Sequence, residues 1–311
     1  MPPVRSVLVT GALGFLGRHV VSDLGSRGIE VRLLDDLSAD PHGTWPASAA
    51  PPARFPRDVR LWDQPDAALT GVEGVVHLAD RYVEGPRAAE ALDVNVRGTH
   101  AILEAAARAG VARVVLASTG EVYGSAGAPP FPETRNPAPR SLHGASKGAQ
   151  ELLARAYAEQ GAFQVVVLRL SDLYGPGMDR SGHPSPLLEF ARSVLAGKPP
   201  EVPGTGEQIR DLLHVADAVE AIHQALDRRV GGWTVVNVGS GVPTTLRALA
   251  DQVTEVLGRP DLEPISVEEP PGFDPARFPE VRLSRSLLGF QPRITLREGL
   301  GRKDWVPGNP A

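Results

Sequence analysis

The segment Thr10-Gly11-Ala12-Leu13-Gly14-Phe15-Leu16-Gly17 joins a run of β-branched residues to a pattern typical of a helix. Glycines at such a junction permit a tight turn, let backbone N–H groups approach a pyrophosphate, and let the helix pack closely on the sheet. The N-terminal end of the helix then faces the anion. Three glycines alone are a weak signal, but their position between a strand and a helix predicts a dinucleotide-binding turn.

Asp35 lies eighteen residues beyond Gly17, at the end of the next predicted strand. A carboxylate there can accept hydrogen bonds from an adenosine ribose and repel a 2′-phosphate. The neighbouring Arg32 acts in the opposite direction, because a guanidinium can accommodate that phosphate. The two residues together favour NAD over NADP as the cofactor.

The first half of the chain alternates short apolar strands with helical patterns. We predict helices after the glycine turn and over residues 88–109, 143–160 and 244–257, and strands over residues 4–10, 30–35, 74–79, 113–118, 164–169 and 235–238. Near-continuous apolar strands separated by helices indicate a parallel sheet that is buried on both faces. The sequence therefore predicts an α/β fold, a Rossmann-type doubly wound parallel sheet with a smaller C-terminal substrate lobe.

The alternation weakens after Leu170, where the proline and glycine content rises. We therefore assign residues 1–170 to an NAD-binding domain, with a return segment at about residues 212–238. Residues 171–211 and 239–311 are assigned to the substrate lobe.

Composition excludes several classes of protein. The formal charge of −5 and pI of about 5.9 argue against a nucleic-acid-binding protein. Cysteine is absent, which excludes disulfides, thiolate metal sites and a cysteine nucleophile. No stretch approaches the roughly 18 uninterrupted apolar residues of a transmembrane helix, and the N-terminus lacks the features of a signal peptide. We expect a cytoplasmic protein with no membrane partner and no metal site.

Several further motifs give the chain a specific family resemblance. They are Arg57-Asp58-Val59, His77-Leu78-Ala79, Asn95-Val96-Arg97-Gly98-Thr99, Ser118 to Gly124, Gly144-Ala145-Ser146-Lys147, Tyr174-Gly175-Pro176-Gly177, Arg210 to Val215 and Asn237 to Gly241. With the glycine turn, the chain resembles the extended short-chain dehydrogenase/reductase family of NAD-dependent nucleotide-sugar epimerases, dehydratases and decarboxylases. The resemblance implies that Asn95 supports the active-site helix, and that NAD contacts Gly11, Gly14, Phe15, Leu16, Asp35, Asp58, Leu78, Ala79 and Lys147.

The family normally oxidises a sugar carbon, usually C4, with a tyrosine base that stands four residues before a lysine. Lys147 is present here, but His143 occupies the position of the tyrosine. Spacing of four places both side chains on one helix face. Only three of the 32 basic residues are lysines, so a lysine at this position indicates a need for its compact ammonium. An imidazole is a competent base near neutral pH, and a neighbouring ammonium would keep it neutral.

The strand-end sequence Ser118-Thr119-Gly120-Glu121 provides the other predicted catalytic residues. By resemblance, Thr119 hydrogen-bonds the reacting sugar oxygen. Glu121 is similar to the glutamate of enzymes that eliminate water or CO2 after C4 oxidation, where it acts at C5. The 4,6-dehydratases pair that glutamate with an aspartate one residue earlier, and Gly120 stands there instead. A solvated charge at a strand end is the alternative interpretation of Glu121.

The resemblance also implies the substrate end of the site. Arg210 matches the arginine that reaches the diphosphate, Asp172 replaces a usual asparagine, and Arg277 is a candidate for a second phosphate arginine. We expect a nucleotide-diphosphate sugar as ligand, with a UDP-sugar favoured. We also expect a homodimer that packs through the helices predicted at 88–109 and 143–160, since alanine-rich surfaces let helices approach closely.

The leading hypothesis is therefore an NAD-dependent enzyme that oxidises C4 transiently and then acts at C5. It would be a decarboxylase or dehydratase with a UDP-hexuronic acid or UDP-hexose as substrate. A nucleotide-sugar 4-epimerase is the first alternative. A catalytically degenerate NAD-binding protein is an alternative from another class, which His143 and Asp172 favour and Glu121 and Lys147 oppose.

Overall fold

The computed structural model describes residues 4–38, 53–61, 67–82, 88–124, 127–180, 182–270 and 273–308. Their strands, in chain order, are β1 (Ser6–Thr10), β2 (Glu30–Asp35), β3 (Ala53–Pro56), β4 (Gly74–His77), β5 (Arg113–Thr119), β6 (Gln164–Leu170), β7 (Asp172–Tyr174), β8 (Glu201–Pro203), β9 (Ile209–Arg210), β10 (Leu212–His214), β11 (Trp233–Val238), β12 (Thr244–Thr245), β13 (Ile265–Val267) and β14 (Ala276–Arg277).

Seven of these strands form one parallel sheet in the order β3-β2-β1-β4-β5-β6-β11. The chain enters at β1, winds outward to β3, and then crosses back to β4 on the other side of β1. Strand order therefore reverses between β1 and β4, and ligands of open α/β sheets bind at the carboxyl ends of the strands beside such a reversal. The predicted Rossmann-type fold is confirmed.

Helices cover both faces of the sheet. They are α1 (Phe15–Ser26), α2 (Ala88–Leu92), α3 (Gly98–Ala109), α4 (Leu142–Glu159), α5 (Pro186–Leu195), α6 (Val215–Asp227), α7 (Leu246–Val256) and α8 (Leu296–Arg302). No helix within these described ranges combines the length and apolarity needed to span a bilayer.

Two predicted helices differ from the observed ones in informative ways. The helix expected over 88–109 contains a π-helical turn at Asp93–Arg97, between α2 and α3. The helix expected to begin at His143 begins one residue earlier, because the Ser141 hydroxyl caps it by accepting a hydrogen bond from the Gly144 N–H. The cap is formed by residues close together in the sequence, whereas the π turn makes contacts with residues distant in the sequence, which are described below.

The apolar core is divided by the sheet. Successive residues of β5 alternate between two layers: Val115 faces α1 and α6, while Val114 and Leu116 face α3 and α4. A third apolar cluster, around Trp305, joins α5, α7 and α8 in the C-terminal part of the chain. β11 lies parallel to β6 at the edge of the sheet. The proposed domain limits stay a prediction.

His77 is a fully buried histidine at the carboxyl end of β4. Its Nδ1 is hydrogen-bonded to Thr10 Oγ1 at 2.7 Å and its Nε2 to Thr99 Oγ1 at 2.9 Å. Burial, with a smaller contribution from the Lys147 ammonium, lowers the pKa of His77 to about 3. The imidazole is therefore neutral in the folded protein and ties β4 to β1 and α3.

We predict that this neutral histidine destabilises the protein in acid. An unfolded histidine binds a proton below about pH 6.5 while folded His77 does not, so stability falls between pH 6.5 and pH 3. The contribution at pH 5 is about 2 kcal/mol. We expect the free energy of unfolding in urea to fall from pH 8 to pH 5. The fall should be smaller by about this amount in His77→Gln than in the wild type. Equal losses in the two proteins would contradict the prediction.

The predicted homodimer depends on exposed apolar residues of α2 and α4. Leu152 on α4 is 68% exposed and Leu92 on α2 is 39% exposed. We expect wild-type protein to have a dimer mass by light scattering at micromolar concentration, and Leu152→Glu to have a monomer mass. Leu195→Glu is the matched control, because Leu195 is 55% exposed on α5, away from the proposed interface. A monomeric wild type would rule out this interface.

Candidate active site

One cleft with a volume of about 650 Å³ lies at the carboxyl ends of the central strands. Every site residue predicted from the sequence lines it, namely Gly11, Gly14, Phe15, Leu16, Asp35, Asp58, Leu78, Ala79, Thr119, Glu121, His143, Lys147, Asp172, Arg210 and Arg277. These residues come from almost the whole length of the chain, so their convergence is a result of the fold. Their individual roles stay predictions.

The glycine turn has no room for side chains. Gly11 has a φ of +65°, and a Cβ there would lie 2.8 Å from the backbone nitrogen of Ala79. A Cβ on Gly17 would lie 2.1 Å from the Gly11 carbonyl oxygen, so α1 packs directly on the turn. Gly14 precedes the first residue of α1 and has no side chain to cap the helix. The uncapped N-terminus of α1 faces the cleft and fits a pyrophosphate.

Asp35 is held by the backbone on both sides. Its Oδ2 accepts a hydrogen bond from the Leu13 N–H at 2.9 Å, and its Oδ1 accepts one from the Leu37 N–H at 2.8 Å. Burial raises the pKa of this carboxyl, and the two backbone bonds oppose that effect. Each carboxylate oxygen has a second lone pair, so the oriented group can still accept from ribose hydroxyls.

Asp58 lies beside an arginine that the sequence analysis did not single out. Arg60 donates to its carboxylate from Nε, at 2.9 and 3.0 Å, and from Nη2 at 2.5 Å. These hydrogen bonds lower the pKa of Asp58. Across the cleft, the Thr10 hydroxyl accepts from the N–H groups of Leu78 and Ala79, both at 3.2 Å. At the predicted NAD end of the cleft, hydrogen bonds to backbone N–H groups and an arginine–aspartate pair therefore hold the side chains in place.

Lys147 and His143 meet at a carboxylate that the sequence analysis missed. Lys147 Nζ donates to the Ala117 carbonyl at 2.9 Å and lies 3.4 Å from Asp80 Oδ1. His143 Nε2 lies 3.8 Å from Asp80 Oδ2, and His143 Nδ1 has no hydrogen-bond partner among the described residues. Both side chains are buried on the same face of α4, as their spacing predicts.

The sequence indicated only the effect of Lys147 on the pKa of His143, whereas burial and the Asp80 carboxylate also act on it. Burial lowers the pKa of His143; Asp80 opposes this shift and Lys147 adds to it. Burial alone would raise the pKa of Asp80, but the Lys147 ammonium and the neighbouring imidazoles outweigh it and hold that pKa below its ordinary range. A neutral imidazole beside an ionised carboxylate is the arrangement of a general base with an orienting partner.

Glu121 is not a solvated charge. It is 7% exposed, on a single 3₁₀ turn (Gly120–Tyr123) that follows β5. The Ser141 hydroxyl donates to its Oε2 at 2.6 Å, and Arg277 Nη1 donates to its Oε1 at 3.0 Å. The Glu121 N–H in turn donates to the Thr119 hydroxyl oxygen at 3.2 Å. That alternative for Glu121 was therefore wrong, since tertiary partners enclose the carboxylate.

The substrate end holds two arginines and a shared carboxylate. Asp172 lies 3.8 Å from Arg210 Nε and 3.9 Å from Arg277 Nη1. Arg210 is 2% exposed and donates to the carbonyls of Ile209 and Asp274, and burial lowers its pKa. The carboxylate of Asp172 is thus paired rather than facing a diphosphate alone.

Asn95 explains the π-helical turn in the long helix. Its side chain donates to Ser146 Oγ at 2.9 Å and accepts from the Arg81 N–H at 2.8 Å. Its carbonyl accepts from Gln150 Nε2 at 2.8 Å. A π turn frees a carbonyl from the helical ladder, and such turns are frequent at functional sites. The turn therefore fastens α4, with His143 and Lys147, to the sheet.

Sequence reasoning missed three residues around His143. Asp80 contacts both His143 and His183, and the ring of Tyr82 lies 4.8 Å from that of His143 and 5.2 Å from that of His183. Asp80 could have been identified from the sequence as a candidate site residue, because it follows the carboxyl end of β4 beside the point where strand order reverses. His183 lies in a loop before α5 and offers no comparable signal.

Comparison with known proteins places the chain in a family. Residues 7–239 match the NAD dependent epimerase/dehydratase family. The chain is 33% identical to UDP-glucose 4-epimerase of Mycolicibacterium smegmatis, with 95% of this chain and 96% of the relative covered. It is 33% identical to dTDP-glucose 4,6-dehydratase of Streptomyces niveus, with 98% and 94% covered. It is 29% identical to UDP-N-acetyl-alpha-D-glucosaminuronate decarboxylase of Bacillus cytotoxicus, with 95% of each covered.

Among solved structures, the fold is similar to that of MoeE5 in complex with UDP-glucuronic acid and NAD. The TM-score is 0.82 and the identity 33%, with 95% of this chain and 96% of that chain covered. The chain belongs to the NAD dependent epimerase/dehydratase family. The predictions of NAD as cofactor and of a nucleotide-sugar enzyme family are confirmed at this level. The role of His143 in place of a tyrosine stays a prediction.

We predict that Asp35 sets the preference for NAD over NADP. Asp35→Asn should narrow the ratio of the two dissociation constants at least about fivefold, because it removes roughly 1 kcal/mol of repulsion toward a 2′-phosphate. Isothermal titration with both cofactors measures this ratio. Glu255→Gln is the matched control, since Glu255 is an exposed carboxylate on α7 and does not line the cleft. Wild-type protein that binds NADP as tightly as NAD would refute the assignment.

Proposed function

We propose that the protein oxidises C4 of a nucleotide-activated sugar transiently and then acts at C5, with loss of CO2 or water. The favoured substrate is a UDP-hexuronic acid, and a UDP-hexose is the next choice. One observation carries the proposal: His143, Lys147 and Glu121 are all buried ionisable groups that line a single cleft with the dinucleotide turn. Ionisable side chains that are buried together in a cleft are candidates for a functional site.

NAD is the group that this cleft would hold, since the turn at Gly11, the open N-terminus of α1 and the oriented Asp35 carboxylate fit a dinucleotide. When bound, NAD supplies the redox chemistry, because it accepts a hydride from a sugar carbon and can return it. Side chains of the protein must therefore transfer the protons and orient the sugar.

His143 would accept the proton of the C4 hydroxyl. The neutral imidazole offers a lone pair, and the Asp80 carboxylate 3.8 Å away stabilises the imidazolium that forms. Lys147 is hydrogen-bonded to the Ala117 carbonyl and close to Asp80, so its ammonium orients that carboxylate and disfavours premature protonation of the imidazole. Thr119 accepts from the Glu121 N–H, which leaves its hydroxyl proton for the reacting sugar oxygen.

Glu121 would then act next to the new ketone. A 4-ketone makes a C5 carboxylate a β-keto acid, whose C–C bond electrons pass to the ketone oxygen as CO2 leaves. The enolate that remains takes a proton at C5, which Glu121 would relay from solvent, and the hydride then returns to C4. Arg277 lies 3.0 Å from Glu121 and can face such a carboxylate. Gly120 offers no acid to a departing hydroxyl group, so the residues favour loss of CO2 over loss of water.

The nucleotide-sugar part of the proposal is supported by the relatives, whose names specify UDP- and dTDP-sugars. Arg210 and Arg277 provide the cations for a diphosphate. A 4-epimerase is the second candidate, because the relatives at 33% identity include one. It would use the same base and cofactor but leave C5 unchanged.

We predict that His143→Ala keeps NAD but loses at least about a hundredfold in the rate of C4 oxidation, the low end of general-base catalysis. Single-turnover NADH absorbance with a panel of UDP- and dTDP-sugars measures the rate, and mass spectrometry of the products separates decarboxylation, dehydration and epimerisation. His100→Ala on the exposed side of α3 is the matched control. Traces of His143→Ala indistinguishable from wild type would exclude His143 as the base. No NADH or product with any donor would favour a non-catalytic NAD-binding protein.

A further inference from the structure

Three potential metal ligands meet in the cleft from three separate parts of the chain. Asp80 follows β4, His143 lies in the first turn of α4, and His183 lies in the loop before α5. One ligand atom from each lies within 4.8 Å of the others. Asp80 Oδ2 is 3.8 Å from His143 Nε2 and 3.8 Å from His183 Nε2. The mechanism proposed above uses His143 and Asp80 but gives His183 no task.

The spacing is close to that of a metal site. Ligand atoms around a tetrahedral Zn²⁺ at bond lengths of 2.0–2.1 Å are roughly 3.3 Å apart. The two Asp80–histidine distances of 3.8 Å exceed this by about 0.5 Å, and His183 is in a loop and 43% exposed, so it can make the larger part of the adjustment. The rings of His143 and His183 are already nearly perpendicular, at 83°, with centroids 5.8 Å apart.

The charges of the donors also fit. A carboxylate oxygen of Asp80 and one ring nitrogen of each histidine can each offer a lone pair to a cation. The Lys147 ammonium faces the other oxygen of Asp80, Oδ1, and so orients the carboxylate while leaving Oδ2 toward the imidazoles. An outer partner of this kind commonly holds a carboxylate ligand in place. The ammonium also repels a cation, which limits the affinity.

We propose that Asp80, His143 and His183 bind a divalent transition-metal ion, with Zn²⁺ as the ion that this donor set fits best. Two imidazole nitrogens and one carboxylate oxygen are ligands of zinc and similar metals, whereas Mg²⁺ and Ca²⁺ prefer oxygen alone. All three residues line the cleft, so a fourth position of the ion faces the space where a sugar hydroxyl or water can bind.

A metal ion at this proposed site would contradict our expectation, made from the sequence, that the protein has no metal site. Absence of cysteine excludes thiolate sites only, and these three residues are 63 and 40 positions apart in sequence, so their meeting was invisible there. The proposal does not depend on the proposed function. The two are linked at one atom, because a lone pair of His143 Nε2 that holds a metal cannot also take a proton.

Cobalt spectroscopy tests the site without any measurement of activity. The full-length protein is treated with a chelator and titrated with Co²⁺, and the visible d–d bands are followed until Zn²⁺ displaces the ion. We expect one Co²⁺ per chain in wild type. His183→Ala should weaken Co²⁺ and Zn²⁺ binding at least about tenfold, the low end for loss of even an outer-shell partner. His100→Ala, an exposed histidine on α3, should bind as wild type does.

X-ray absorption of the Zn²⁺-loaded wild type provides a second measurement that needs no variant. It should show two imidazole nitrogens together with oxygen ligands. Wild type without saturable Co²⁺ binding, or His183→Ala with unchanged affinity and spectrum, would overturn the proposal. A zinc site with no imidazole ligands would also overturn it. The metal readouts rely on His183→Ala and need no measurement of C4 oxidation, because His143→Ala would remove a proposed ligand and the proposed base together.

Discussion

The close approach of Gly11 to the backbone of Ala79 constrains the whole site. A turn with φ of +65° at Gly11 brings the first strand, the first helix and the end of β4 to within van der Waals distance. Any side chain at Gly11 or Gly17 would separate these elements. β1 and β4 flank the point where strand order reverses, and both residues of this contact line the cleft. The same contact fixes the position of Asp80, the next residue after Ala79.

Two charged side chains of the cleft, Asp80 and Arg277, each contact several ionisable neighbours. An isolated charge removed from water is costly, and a buried pair is tolerated only when hydrogen bonds satisfy both partners. Asp80 is shared among Lys147, His143 and His183, and Arg277 is shared among Glu121, Asp172 and Asp274. These two groups of charges line one cleft, at the ends that we propose to be catalytic and substrate-binding. A ligand that enters must exchange contacts with them, so binding and the protonation of the site are coupled.

If His143 acts in place of the family's tyrosine, as we propose, it needs different charges around it. A phenol is activated by a nearby cation, which stabilises the phenolate. An imidazole acquires positive charge when it takes a proton, and a nearby cation alone opposes this step. Asp80 supplies the opposite charge at 3.8 Å from His143 Nε2. In the proposed mechanism, Lys147 alone would therefore make His143 a poor base, whereas Lys147 together with Asp80 would give a neutral base whose protonated form is stabilised.

The sequence by itself determined the features that depend on neighbours along the chain. The strand, glycine turn, helix and Asp35 follow from local steric rules, and the shared face of His143 and Lys147 follows from helical periodicity. Only the tertiary structure decided which charges meet: Glu121 with Arg277, 156 residues apart, and Asp80 with His143 and His183. The π turn that fastens Asn95 to α4 belongs to the same group. Such contacts depend on where the strands end and how the loops return, and no short-range pattern of residues encodes those distances.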